Sequence, residues 1–242
     1  MSISPRSFAR VYGSPGTNAR VAGALRVLAP VVTLLSVTGV CLGLALPVPR
    51  IPAPYNAFLL IICAAGIVAT VRWGRDRLNN YLVGAHGEET VGRTLALLPQ
   101  SFRVYHGVPT GLASDLDHAV CGPSGLWVIE TTSRQGLVSV RGQEILVDGE
   151  PMPFSPVGKV RRAAEELREA LRQRAGVAPD IQSVVCFADG RLSPDPAAVE
   201  GVALTTPETL CALLTAPGSP PNEGVLTRSA AALDLMLSGE RR

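Results

Sequence analysis

Lysine is almost missing from this 242-residue chain: Lys159 stands alone beside 21 arginines. Charge of either sign is scarce, at 17% of residues, against about 25% in an ordinary soluble domain. The formal net charge of +2 is too small to argue for nucleic-acid binding on electrostatics alone. The preference for arginine over lysine reflects coding bias and carries no function. The five cysteines, Cys41, Cys63, Cys121, Cys186 and Cys211, include no C-x-x-C pair. Zinc-ribbon and thioredoxin-like readings thereby lack support, and buried thiols in a reducing compartment fit better. Histidines number three and aromatic residues make up 5%. What the chain has in surplus is apolar residues, 47% of the total, with a mean hydropathy of +0.26. That excludes disorder for most of the chain, and it excludes a plain soluble enzyme.

The surplus is concentrated. No charged residue falls between Val27 and Pro49, and none between Ile51 and Val71. Each run is about 20 residues, enough to cross roughly 30 Å of hydrocarbon as a helix. Arg50 and four prolines (Pro47, Pro49, Pro52, Pro54) lie at the junction, as a tight turn would require. The sequence therefore predicts a transmembrane helical hairpin over residues 27–72, with spans near 28–46 and 56–71. Arg6, Arg10, Arg20 and Arg26 precede it, and Arg72, Arg75 and Arg77 follow it. The positive-inside rule then places both termini in the cytoplasm of a multi-pass protein of the cell membrane, with the lipid bilayer as a partner. The run starts behind too long a polar leader for a cleaved signal peptide. Residues 1–26, with Ser, Pro and Gly, are expected to form a disordered basic leader.

Residues 80–242 can bury a core of their own. Helical spacing of Val91, Leu95 and Leu98 over Glu88–Leu98 ends at Pro99. Strands are predicted at 102–108, 116–121 and 126–131, with a hairpin over 137–141 and 144–147. Val157, Val160, Ala164, Leu167 and Leu171 form an apolar helical stripe, and Gly176 stops that helix. The continuous apolar run at 181–188 reads as a strand covered on both faces. A short strand at 202–205 follows. Helices at 207–214 and 228–237 flank a loop over 216–224. Together these make an α/β fold with a mixed sheet flanked by helices.

The chemistry-bearing stretch is SDLDHAVCGPSGLWVIETT, residues 114–132. Asp117 begins one strand and Glu130 ends the next, after a tight turn. Two carboxylates converging at strand ends form a hard-oxygen site suited to Mg²⁺ or Mn²⁺. Thr132 shares the face of Glu130 by strand alternation. Glu88, at the start of its helix, is either a third acid of the site or a residue complementing the helix dipole. His118 should face the opposite side from Asp117, in a core role. His86 and His106 read as surface or packing residues, and Trp127 as core. Arg161, Arg162, Arg168, Arg172 and Arg174 alternate with Glu165, Glu166 and Glu169, which describes a salt-bridged wet face better than a phosphate-binding one.

Five pieces in order carry a family resemblance: GAHGEETVGRTLALLP (84–99), DLDHAVCGPSGLWVIET (115–131), RGQEILVDGEP (141–151), SPVGKVRRAAEELREAL (155–171) and VVCFADG (184–190). The region over residues 80–215 resembles the nuclease-related domain, NERD, a branch of the PD-(D/E)XK nuclease-like fold, with 216–242 forming a loop and C-terminal helix. The resemblance implies a restriction-endonuclease-like mixed sheet and Mg²⁺- or Mn²⁺-dependent cleavage of DNA phosphodiesters. It makes Asp117 and Glu130 metal-binding acids, lets the Thr131 carbonyl add a ligand, and makes Glu88 the acid of the first helix. The family's motif usually continues Glu-x-Lys, whereas here Thr132 holds the lysine position and cannot supply its charge. Lys159, in the helix after the hairpin where the family more often has glutamine, is the candidate replacement. Arg134 is a second candidate cation. Two functions follow: a membrane-anchored nuclease, or a catalytically degenerate nuclease fold that binds nucleic acid or a protein partner. A purely structural membrane protein accounts least well for the acids.

Overall fold

The computed structural model describes residues 8–16, 28–37, 39, 53–110, 115–194, 198–217 and 221–239. The chain divides into two units, Met1–Asn18 with Gly84–Arg242, and Ala19–Val83.

In the second unit, residues 28–37 are helical, and helix α1 (Ala53–Leu95) begins. No proline occurs between Pro54 and Pro99, so nothing in the chain stops α1 at the basic cluster Arg72–Arg77. It continues for 43 residues and becomes the first helix of the other unit. Among the described residues no helix is long and apolar enough to cross a membrane, and the expected transmembrane hairpin is not found there. Residues 38 and 40–46 of the first expected span and the turn at 47–52 lie outside the described residues. The second expected span, 56–71, is one part of α1 with no end of its own.

The unit that includes Gly84–Arg242 is built on a seven-stranded mixed sheet. Its strands are β1 (Arg10–Tyr12), β2 (Arg103–Val108), β3 (Leu116–Gly122), β4 (Gly125–Thr132), β8 (Ile181–Phe187), β10 (Ala198–Val199) and β11 (Val202–Thr205). They run in the order β1-β2-β3-β4-β8-β11-β10. β2, β3 and β4 are antiparallel neighbours, while β4, β8 and β11 are parallel. The central position of β4 follows from its composition: seven of its eight residues are buried. A second sheet of β5 (Gly136–Arg141), β6 (Glu144–Val147), β7 (Glu150–Pro151) and β9 (Gly190–Leu192) carries the expected hairpin at its centre.

Helices cover both faces of the large sheet. Helix α2 (Pro156–Ala175) buries Val157, Val160, Ala164, Leu167 and Leu171, the stripe read from the sequence. It packs with α4 (Glu223–Gly239) over Ala119, Leu126, Val128 and Val185. On the other face, Val91 and Leu95 of α1 join Leu210 and Leu214 of α3 (Pro207–Thr215) over Val120, Trp127, Ile129 and Val184. Leu167 is fully buried against that first face. Leu167→Ala is expected to cost about 3 kcal/mol, read as a lower midpoint in urea unfolding.

The leader differs from expectation. Residues 1–7 and 17–26 lie outside the described residues, but 10–12 form β1 on the edge of the large sheet. Low local apolar content does not prevent this, because β2 supplies the partner: Arg10, Val11 and Tyr12 register in parallel with Arg103, Val104 and Tyr105.

Candidate active site

The antiparallel register of β3 and β4 pairs His118 with Ile129, so Asp117 stands opposite Glu130 one residue further on. Ala119 and Cys121 on β3 and Leu126 and Val128 on β4 lie on the face covered by α2 and α4, and alternation places Asp117 and Glu130 on that same face. The two acids therefore converge at the ends of adjacent strands, beneath the first turns of α2. Ser155 caps α2 by accepting from the Gly158 amide, which fixes where the helix begins. Lys159 lies one turn in, and its ammonium donates to Glu130 Oε1 and stands 3.9 Å from Asp117 Oδ1. Asp117 is held from its other side, where the Thr131 amide donates to Oδ2 at 2.9 Å.

Glu88 arrives from α1. Gly87 makes this approach feasible, since a Cβ there would lie 2.0 Å from the Ser133 hydroxyl at the end of β4. The Glu88 carboxylate accepts from the Gly16 amide at 3.0 Å. Charge on Asp117 and Lys159 acts on Glu88, which places all four groups in one electrostatic cluster. Thr132 is buried on β4 and offers no charge to it. Arg134 packs instead against the Phe154 ring, 5.9 Å from its centroid.

The acids are crowded in a dry place. Only 9% of the Glu130 side chain and 12% of the Asp117 side chain are exposed, while Lys159 is half-exposed. Burial, then the Asp117 charge, pushes Glu130 up to about 8. Burial and the same neighbour push Glu88 up to about 7. Burial also raises Asp117, against the pull of Lys159 and the Thr131 amide. Burial alone would lower Lys159, but Asp117 and Glu130 hold its ammonium above the usual value. Three carboxylates share one lysine, so the cluster is short of positive charge.

Among the described residues no three His, Cys, Asp or Glu side chains are grouped as a cage for a metal ion. The donor set still suits a magnesium-like ion, which commonly takes one or two carboxylates and completes its shell with water and phosphate oxygens. The Lys159 ammonium, a cation seated between Asp117 and Glu130, shows that both carboxylates address one point. Asp117 and Glu130 would hold such an ion, with the Thr131 carbonyl as a further oxygen.

The opposite face carries a polar element the sequence did not reveal as such. His106 and His118 are both buried, and their Nδ1 atoms share a hydrogen bond at 2.7 Å. His118 Nε2 reaches the Thr131 hydroxyl at 3.2 Å. This ties the residue whose amide holds Asp117. Burial lowers His106 to about 4, and burial together with His106 lowers His118. A histidine whose folded pKa is depressed stabilises the fold fully above its unfolded value and loses that contribution as pH falls. Acid is therefore expected to destabilise the domain by about 3 kcal/mol between pH 6.5 and 4 through His106 alone. His106→Gln should flatten that part of the stability-against-pH curve measured by urea unfolding. A curve unchanged by the substitution would reject this account.

The arginine-rich side of α2 is salt-bridged: Arg161 to Glu200, Arg168 to Glu165, and Arg172 to Glu169.

A mixed sheet flanked by helices on both faces, with acids at the ends of adjacent strands, is consistent with a nuclease-like fold. Residues 83–188 match the model of the NERD family, the nuclease-related domain. No curated protein matches the chain, and no solved structure matches it.

Proposed function

We propose that this protein is a nuclease that cleaves DNA phosphodiesters with Mg²⁺ or Mn²⁺, its missing motif lysine replaced by Lys159. The observation that carries this reading is the Lys159 ammonium placed between Asp117 and Glu130 on one face of the sheet. An ion held by Asp117 and Glu130 would lower the pKa of a bound water and offset charge on the phosphate. Lys159, on a flexible stem and half-exposed, is free to turn from Glu130 toward a phosphate oxygen. Glu88, with a pKa near 7, is suited to accept a proton from the attacking water at neutral pH. The Thr131 amide and the His118 contact behind it keep Asp117 aimed at the site.

The site is proposed to work at the cytoplasmic face of the cell membrane. Apolar side chains Leu28, Val32 and Leu35, spaced as one helical stripe, and Ile61, Ile62 and Val68 are all exposed. Water penalises such surface, and lipid would remove the penalty. The backbone at Gly16 approaches Ala85 so closely that a Cβ would lie 2.9 Å from its carbonyl oxygen. That approach sets Gly16 beside Glu88.

The test uses the full chain in detergent micelles with linear duplex DNA. Cleavage should require Mg²⁺ or Mn²⁺ and vanish with Glu130→Ala. A salt-sensitive gel shift with no cutting at high protein concentration would instead favour the non-catalytic module, in which Lys159 permanently neutralises the acids.

A further inference from the structure

We infer that residues 8–16 form a strap that positions Glu88 through the Gly16 amide, so that the working site includes a residue far outside the NERD match. This rests on the nuclease reading above. The strap is laid down by backbone contacts. Ala9 donates to the Leu98 carbonyl at 2.8 Å, Arg10 to that of Phe102 at 3.3 Å, and β1 then runs along β2. The Tyr12 ring stacks on Tyr105 with centroids 5.1 Å apart. Beyond β1 the segment follows the domain closely. A Cβ on Gly13 would lie 2.4 Å from the His106 carbonyl oxygen, and one on Gly92 would lie 2.8 Å from Pro15. Gly16, with φ of +73°, is buried and turns its N–H toward Glu88.

The Glu88 carboxylate needs such a hold. Asp117 repels it, and a glutamate side chain with three free torsions would otherwise swing away toward water. A backbone N–H has no rotamers of its own, so once the strap is seated it fixes Glu88 at little further entropic cost. A chain beginning near residue 84 would keep every acid and lose this donor. Gly16 is therefore a positioning residue, acting through Glu88 from 72 positions away.

A double-mutant cycle on the full chain in micelles tests this. Gly16→Pro deletes the N–H. It should lower kcat for DNA cleavage about ten- to a hundredfold with KM little changed. In a Glu88→Ala background the same substitution should change kcat by less than about twofold, because the residue it serves is gone. If Gly16→Pro fails to fold, Gly16→Ala, whose Cβ would push the amide away from Ala85, is run through the same cycle. Equal losses in both backgrounds would show a merely structural strap and overturn the inference, as would an unchanged kcat. A wild-type chain that does not cut DNA would overturn the nuclease reading and the strap's role with it. Wild-type cleavage with an additive cycle would overturn the strap alone.

Discussion

Lys159→Ala in the full chain is expected to slow Mg²⁺-dependent DNA cleavage about a hundredfold. The figure follows from what one positioned charge contributes to a developing oxyanion, about 3 kcal/mol in a site shielded from water. Three candidate replacements among the described residues do not cover the loss. Thr132 is neutral, Arg134 is engaged with Phe154, and Arg161 is paired with Glu200. Lys159→Arg should restore less than the full rate, since the planar guanidinium is a poor substitute for a compact ammonium on a flexible stem. The discriminating variant is Thr132→Lys in the Lys159→Ala background. Thr132 lies two residues beyond Glu130 on β4 and shares its face, so a lysine there enters the same space from the strand instead of the helix. At least a tenfold recovery of rate is expected. If Lys159→Ala cuts DNA as fast as wild type, the assigned role of Lys159 is wrong.

Magnesium is expected to raise the thermal midpoint of the protein by roughly 5 to 10 °C at pH 8 and far less at pH 5. A carboxylate whose folded pKa is raised stabilises the fold fully below its unfolded value, and that stability is lost as pH rises through the folded value. Glu130 ordinarily titrates at 4.5 but at about 8 here, so without a divalent ion the domain should weaken steadily between those two values. The weakening is on the order of 5 kcal/mol, a figure that already contains the opposing pull of Lys159. A divalent ion removes it where the acids are ionised, which is why its effect grows with pH. Glu130→Gln should therefore be more stable than wild type at pH 8 without metal, because the amide keeps an acceptor for Lys159 and discards a charge. The same variant should show little shift on adding Mg²⁺. A metal-induced shift that is the same at pH 5 and pH 8, or that survives Glu130→Gln, would refute a carboxylate site for the ion.

Much of this arrangement was legible in the sequence. The pairing of Asp117 with Glu130 follows from strand alternation across a tight turn, and the apolar stripe of α2 follows from 3.6-residue periodicity. Both patterns are local, and each is enforced by burial of the same residues that display it. The placement of Lys159 could only be suspected, because whether a helix residue faces a strand end depends on how α2 crosses the sheet. The Ser155 cap and the packing of Val157 and Val160 decide that.

The rest lay in contacts between distant parts of the chain. A leader of Ser, Pro and Gly has no periodicity to read, and β1 exists because β2 offers an unpaired edge. His106 and His118 looked like isolated histidines, yet the β2–β3 register sets them opposite each other. α1 passes the end of the apolar run because no proline interrupts it, a signal that was present but outweighed by the change in hydropathy at Arg72. By itself the sequence determined the main elements of residues 102–215, their core faces and the two strand-end acids, since these depend on neighbours a few residues apart. Only the tertiary structure decided which cation meets those acids and which amide holds Glu88, since both depend on groups brought together by packing and not by spacing along the chain.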